Sequence, residues 1–181
     1  MKSIILCEGS TDYALLQYFM RKVYDWQDAK TNEQASSRHF NRIRTMRKGT
    51  DVLSIAGCGG SSRILPGLDF ILEQNSISNN QESYHKIVIL TDRDEVETEQ
   101  EFADKITRML SERDVKIEEN VSNDKWIKCT YRNGQKKECY LDLLMLVVPF
   151  EETGAMETFL YCACNFLIVT NNHDLKGGRL I

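Results

Sequence analysis

The 181-residue chain is poor in the residues that would mark it as a zinc or disulfide scaffold: it has three histidines, and none of its six cysteines belongs to a Cys-x-x-Cys pair. Cys7, Cys58, Cys129, Cys139, Cys162 and Cys164 therefore read as reduced core or surface residues. Long apolar runs are also lacking. Ile4–Cys7 is too short for a signal peptide, and Leu143–Phe150 falls far short of the ~18 residues that span a bilayer. A soluble, cytoplasmic protein with no membrane partner is expected. Positive charge is scarce as well, since 23 Lys and Arg stand against 27 Asp and Glu for a net −4. A polyanion must then be met by a local patch. The stretch from Lys30 to Lys48 offers one, with Arg38, Arg42, Arg44, Arg47 and Lys48 against the single acid Glu33. It is either a nucleic-acid-binding surface or a solvated loop or helix face.

What the sequence does contain is an alternation of apolar strands and amphipathic helices. Ser3–Cys7 reads as a strand ending in Glu8-Gly9, followed by a helix with Leu15, Leu16, Phe19, Met20 and Val23 at helical spacing. Asp51–Ala56 repeats the plan. Behind it come Gly57-Cys58-Gly59-Gly60, then Ser61 or Ser62 as N-cap for a helix through Ile64, Leu65, Leu68, Ile71 and Leu72, with Pro66 in its first turn. Lys86–Thr91 is a third strand whose unbroken apolar run suits burial on both faces, and its helix carries Phe102, Ala103, Ile106, Met109 and Leu110. The order predicts one α/β domain over 1–181, with a mainly parallel, Rossmann-like sheet flanked by helices.

After residue 110 the pattern changes. Lys125–Tyr131 and Lys136–Asp142 flank Asn133-Gly134, a hairpin signal that adds an antiparallel piece. A two-residue turn there sets Cys129 opposite Glu138 and Lys128 opposite Cys139, with the two thiols on opposite sides. Leu143–Val148 either continues this arm or forms a separate parallel strand. A last helix is expected from Gly154 through Met156, Phe159, Leu160, Ala163 and Leu167, which closes a hairpin-and-helix region over 125–170.

In open parallel sheets functional groups collect beyond the carboxyl ends of the strands. Glu8 ends the first strand and Asp92-Arg93-Asp94 the third. Residues two apart on a strand point the same way, so Asp92 and Asp94 can clamp one ion while Arg93 points away. Two carboxylates about 4 Å apart repel by roughly 4 kcal/mol at an effective dielectric near 20. A cation relieves this, and an all-oxygen set without His or Cys favours hard Mg²⁺, with Mn²⁺ as substitute. The alternative is that Asp-x-Asp marks a turn and caps the next helix.

Ile4-Ile5-Leu6-Cys7-Glu8-Gly9-Ser10-Thr11-Asp12 and Val88-Ile89-Leu90-Thr91-Asp92-Arg93-Asp94 together resemble the two motifs of the Toprim family. Both are apolar strands, the first ending in Glu-Gly and the second in Asp-x-Asp, and the resemblance covers about residues 1–110. Toprim domains occur in primases, topoisomerases, repair proteins and nucleases of the overcoming-lysogenization-defect class. The resemblance implies Mg²⁺-dependent phosphodiester chemistry on DNA or RNA, in DNA repair or phage defence. Glu8 would be ligand or general acid/base, with Asp92 and Asp94 holding the metal. It implies that Asp12 either braces the site or only starts the helix. Gly57, Gly59 and Gly60 either let N–H groups approach a phosphate or form a plain tight turn.

The chain lacks the tyrosine-bearing domain of a topoisomerase and the extra domains of a primase, and looks closer to small stand-alone Toprim-like proteins and to the Toprim part of those nucleases. They use further acids for a second metal, for which Glu157 is preferred over Glu95, Glu151 and Glu152, and a lysine for which Lys176 is the late candidate. A metal-dependent nuclease is the leading expectation. Its rival is a non-catalytic Toprim-fold module that binds nucleic acid or nucleotide beside a partner such as an ATPase.

Overall fold

Short β-branched and apolar runs build a single mixed sheet in the computed structural model, which describes residues 1–30, 35, 39–79, 82–150 and 153–155. In chain order the described elements are β1 (Lys2–Cys7), α1 (Ser10–Tyr24), β2 (Gln27–Asp28), β3 (Arg42–Lys48), β4 (Asp51–Gly57), a 3₁₀ turn (Ser61–Arg63) and α2 (Ile64–Ile77). There follow β5 (Lys86–Asp92), α3 (Thr98–Glu112), β6 (Lys116–Ile117), β7 (Trp126–Arg132) and β8 (Glu138–Val148). The expected last helix, with Glu157 and Lys176, lies outside the described residues, as do Arg38, Glu151 and Glu152.

The sheet runs β2-β3-β4-β1-β5-β8-β7-β6. β4, β1, β5 and β8 pair in parallel, as the strand–helix alternation implies. The four outer pairings are antiparallel, so the sheet is mixed rather than mainly parallel. One cause is the basic stretch. Residues Arg42–Lys48 are a strand hydrogen-bonded to β4, with the adjacent Thr45 and Met46 buried on its two opposite faces.

Two apolar layers hold the sheet. On one face α2 and α3 bury Ile64, Leu68, Ile71, Phe102, Ile106 and Leu110 against the central strands. These are the residues whose helical spacing marked them. The other face holds Ile5, Cys7, Met46, Leu53, Ile55, Leu90 and Val148, with Tyr13, Leu16 and Met20 of α1 packed on it. The expected apolar stripe of α1 is therefore rotated. Phe19 and Val23 are 46% and 55% exposed, while Leu16 and Met20 touch the sheet. Helical spacing selects a stripe but cannot choose between two neighbouring apolar ones.

The hairpin differs by three residues of register. Cys129 lies opposite Leu141, Lys128 opposite Asp142 and Tyr131 opposite Cys139. An odd slip moves every side chain to the other face, so Cys129 and Cys139 are buried on the same face rather than on opposite sides. The reason is Asn133. Its Oδ1 accepts from the N–H of Gln135 (3.1 Å) and of Lys137 (3.0 Å), while its own N–H donates to the Lys137 carbonyl. Lys136 takes the left-handed conformation, φ 59°. The loop is thus 133–137 and not a two-residue Asn-Gly turn. β8 serves both expected roles, antiparallel to β7 at one end and parallel to β5 at the other. The four described cysteines are free and buried.

The far edge is tied by charge. Asp28 on β2 receives Arg44 through Nε at 3.0 Å and Nη2 at 2.8 Å, and Arg21 of α1 at 2.6 Å. Arg44 chiefly, then Arg21, hold its carboxyl down to about 2 from an ordinary value near 3.8. A depressed carboxylate contributes stability that is present above its unfolded value and is lost as pH falls through the folded one. The cluster is exposed, so Asp28→Asn is expected to cost only about 0.5–1 kcal/mol at pH 7. The gap from the parent should close between pH 4 and pH 2. Urea melts of both proteins across that range check this, and a gap independent of pH would refute it.

Candidate functional site

The carboxyl ends of the parallel strands are where the expected acids gather. Cys7 of β1 pairs with Gly57 of β4 and with Leu90 of β5, so Glu8 emerges between the glycine loop and Thr91-Asp92. Three contacts fix it. Its carbonyl accepts the N–H of Gly59 (2.9 Å) and of Gly60 (3.0 Å), and its Oε2 accepts the Thr91 hydroxyl at 2.9 Å. The Asp92 N–H stands 3.5 Å from the same carboxylate oxygen. Gly9 follows, its N–H donating to Asp12 Oδ2 at 2.8 Å. Asp12 is only 5% exposed and closes half of a capping box, so it both starts α1 and braces the Glu8-Gly9 turn.

The glycine loop needs its glycines for close approach and for conformation. A Cβ on Gly57 would meet Tyr13 Cβ at 3.3 Å, and Gly60 sits at φ 127°, ψ 154°, a region that L side chains rarely adopt. The expectation that Gly57, Gly59 and Gly60 present N–H groups to a phosphate is corrected here. The Gly59 and Gly60 N–H groups are spent on the Glu8 carbonyl, and Gly57 lies within β4. Nor does Ser61 or Ser62 cap α2 through a side chain; the 3₁₀ turn leads directly into it.

Asp92 and Asp94 do not share one side as strand alternation suggested. Asp92 ends β5 in register with Val148 and with the parity of Leu90, on the α1 side. Arg93 then bridges Gly154, and the chain leaves strand geometry. Asp94 is exposed and lines a cleft of about 270 Å³ with Ser61, Thr91, Thr98, Phe102 and Lys105, on the α3 side. Arg93 is 7% exposed, donating to the Pro149 carbonyl and to Glu99 Oε2, both at 2.7 Å. It anchors the turn that carries the two aspartates. Among the described residues no three Asp, Glu, His or Cys side chains stand close enough to enclose a metal ion. Glu8 meets the Asp92 backbone and the Thr91 hydroxyl, and Thr91 also lines the cleft that holds Asp94.

The neighbouring thiols Cys7 and Cys58 are free and buried. Burial pushes Cys58 up to about 12, with Arg63 opposing and Glu8 reinforcing the rise, and burial raises Cys7 further, helped by Asp12. The donors at this edge are oxygens, which suits a hard cation.

The basic patch is divided. Arg42, Arg44 and Lys48 alternate on the α1 side of β3 and Arg47 lies on the opposite side. Arg44 is held by Asp28, and Lys48 donates to the Tyr24 carbonyl at the end of α1. Among the described residues of the patch, Arg42, opposite Gly57, is the one at the edge that bears the acids. Sequence reasoning missed Thr91 and Arg63. Thr91 becomes legible only once β1 and β5 are known to be neighbours.

The family described as protein of unknown function (DUF3226) matches residues 2–172, and the chain belongs to it. No curated protein matches. Among solved structures the chain is similar to hypothetical protein PH0156 from Pyrococcus horikoshii OT3. That match has 17% identity, a TM-score of 0.62 and coverage of 88% of this chain and 64% of that one. The likeness shows a shared fold, and the chain spans less than two thirds of that protein's length. A glyoxalase/bleomycin resistance protein/dioxygenase family enzyme from Burkholderia phytofirmans PsJN also matches. At 12% identity over 79% of this chain and 96% of that one, its TM-score of 0.26 carries no argument.

Because Gly60 adopts a backbone conformation open almost only to glycine, Gly60→Ala is expected to destabilise the fold by about 1–3 kcal/mol. Nothing lies within 4 Å of an added Cβ, so the loss is conformational rather than steric. Denaturant midpoints measure it, and a midpoint equal to the parent's would contradict it.

Proposed function

We propose that the strand-end acids Glu8, Asp92 and Asp94 hold Mg²⁺ or Mn²⁺ for phosphodiester chemistry on nucleic acid, on a Toprim-like, Rossmann-type core of four parallel strands. The observation that carries the reading is the parallel register of β1 and β5, which sets Glu8 beside Thr91 and Asp92. The Thr91 hydroxyl orients the Glu8 carboxylate, and the Gly59 and Gly60 N–H groups fix its backbone. A carboxylate so held can take or return a proton at a fixed place. Arg93, pinned to Glu99 and Pro149, keeps the Asp92–Asp94 turn in position. A bound cation would neutralise charge on a phosphate oxygen and lower the barrier to attack at phosphorus. Glu157, the preferred acid for a second ion, lies outside the described residues.

A second reading is favoured by one observation: among the described residues the acids do not converge into a three-ligand cluster. The site would then close only on nucleic acid or nucleotide, with the chain acting as a non-catalytic binding module beside a partner protein such as an ATPase. A metal-dependent nicking assay on the isolated chain separates the two readings.

Asp92→Ala and Asp94→Ala are each expected to lower Mn²⁺ affinity at least tenfold while leaving the melting temperature close to the parent's, since both lie at the edge of the sheet and neither belongs to the buried core. Glu8→Gln should abolish activity with a milder loss of affinity if Glu8 works in proton transfer, and match the aspartates if it is a ligand. Calorimetric Mn²⁺ titration with parallel melts decides. A parent that takes up no Mn²⁺ at millimolar levels would overturn the cation reading.

A further inference from the structure

Several arginines near the sheet are already committed. Arg44 and Arg21 are held by Asp28, Arg93 by Glu99, and Arg113 by Asp69. Four others, Arg42, Arg63, Arg108 and Arg132, are exposed and have no ion-pair partner among the described residues, and of these Arg42 and Arg63 stand at the edge that bears Glu8. Arg42 is paired with Gly57, the last residue of β4, and its neighbour Asn41 donates to the Gly57 carbonyl at 3.0 Å and lies against Gly59. Arg63 ends the 3₁₀ turn, its N–H donating to the Gly60 carbonyl at 3.0 Å. The two guanidinium-bearing residues thus flank the glycine loop that grips the Glu8 carbonyl.

An unpaired guanidinium on the surface of a chain of net charge −4 has carboxylates to bind if geometry allows it. Here two remain unpaired next to the acidic edge. Guanidinium groups meet phosphate oxygens through paired N–H donors, the arrangement that fixes a phosphodiester at a given place.

We infer that Arg42 and Arg63 form the phosphate-gripping rim of this edge, each binding a backbone phosphate of a nucleic-acid strand that runs over the Gly57–Gly60 loop toward Glu8. The inference rests on the cation-site reading only for what the strand is delivered to; the grip itself needs no cation. It replaces the wider basic patch with two residues, one of them outside that patch. Arg44, Arg47 and Lys48 take no part.

The test is fluorescence anisotropy of a labelled 20-nucleotide single-stranded DNA, titrated with the full chain at several salt concentrations in EDTA and again in Mn²⁺ with inert competitor. Each lost phosphate contact on a single strand should flatten the slope of log affinity against log salt by roughly 0.7. Arg42→Gln and Arg63→Gln should each show this change, and the double variant roughly twice it, with several-fold weaker binding at low salt. Arg44→Gln should keep the parent slope. Mn²⁺ affinity measured by calorimetry should be unchanged in all four variants. Parent-like slopes in both single variants, an equal loss in Arg44→Gln, or a parent that binds no strand would overturn the inference. Replacing the strand by the same concentration of inorganic phosphate should not compete; full competition would mean a free-anion site and would likewise overturn it. A parent that grips the strand in EDTA but takes up no Mn²⁺ would sink the cation reading alone.

Discussion

Glu8 is the residue through which three parallel strands are joined at their carboxyl ends. Its carbonyl takes two N–H groups from the loop after β4, and its carboxylate takes the Thr91 hydroxyl at the end of β5. Backbone and side chain of one residue thus fix the relative height of β4, β1 and β5 where their turns leave the sheet. The demand propagates outward. For Gly59 and Gly60 to turn both N–H groups toward one carbonyl, the loop takes positive φ at both, 87° and 127°. For β4 to approach α1 closely, Gly57 has no room for a side chain beside Tyr13. Asp12, buried under the same turn, supplies the acceptor that Gly9 needs.

The part of the fold legible in the sequence is the part governed by local pattern. The apolar runs at Ile4–Cys7 and Ile87–Leu90 and the helical spacings in α2 and α3 were read correctly, because burial of those faces dictates them. Features set by partners distant in sequence were not legible. Arg42–Lys48 carries too many charges to look like a strand, yet β4 offers it a hydrogen-bonding edge and Asp28 a counter-charge. The hairpin register turned on a side chain: Asn133 closes a longer loop with its own Oδ1, which an Asn-Gly pair does not announce.

The same division runs through the candidate site. The acids were recognisable as residues that end strands, and adjacency of β1 and β5 brings Glu8 to Asp92. The side to which each carboxylate turns was not recognisable, because the alternation rule holds only while the chain stays in the sheet. Arg93 breaks it by bridging Gly154 and inserting its guanidinium between Glu99 and the Pro149 carbonyl. The residue that the Asp-x-Asp pattern leaves undefined is therefore the one that decides where the second aspartate goes.

Dividing the acids between two sides of the sheet edge has an electrostatic consequence. Three carboxylates within about 4 Å of one another would cost several kcal/mol each in mutual repulsion. With Asp92 on the α1 side and Asp94 in the α3 cleft, Glu8 instead meets a hydroxyl and a backbone N–H, both donors. Opposite charge is kept near but unpaired: Arg42 and Arg63 are exposed beside the glycine loop, while Arg21, Arg44, Arg93 and Arg113 are bound to acids. Glu8 is thus satisfied by neutral donors while Arg42 and Arg63 are left exposed, so this edge keeps both charges without closing into an internal salt bridge between them. That separation depends on the glycine loop, whose N–H groups hold Glu8 on one side and whose flanks carry the two arginines on the other.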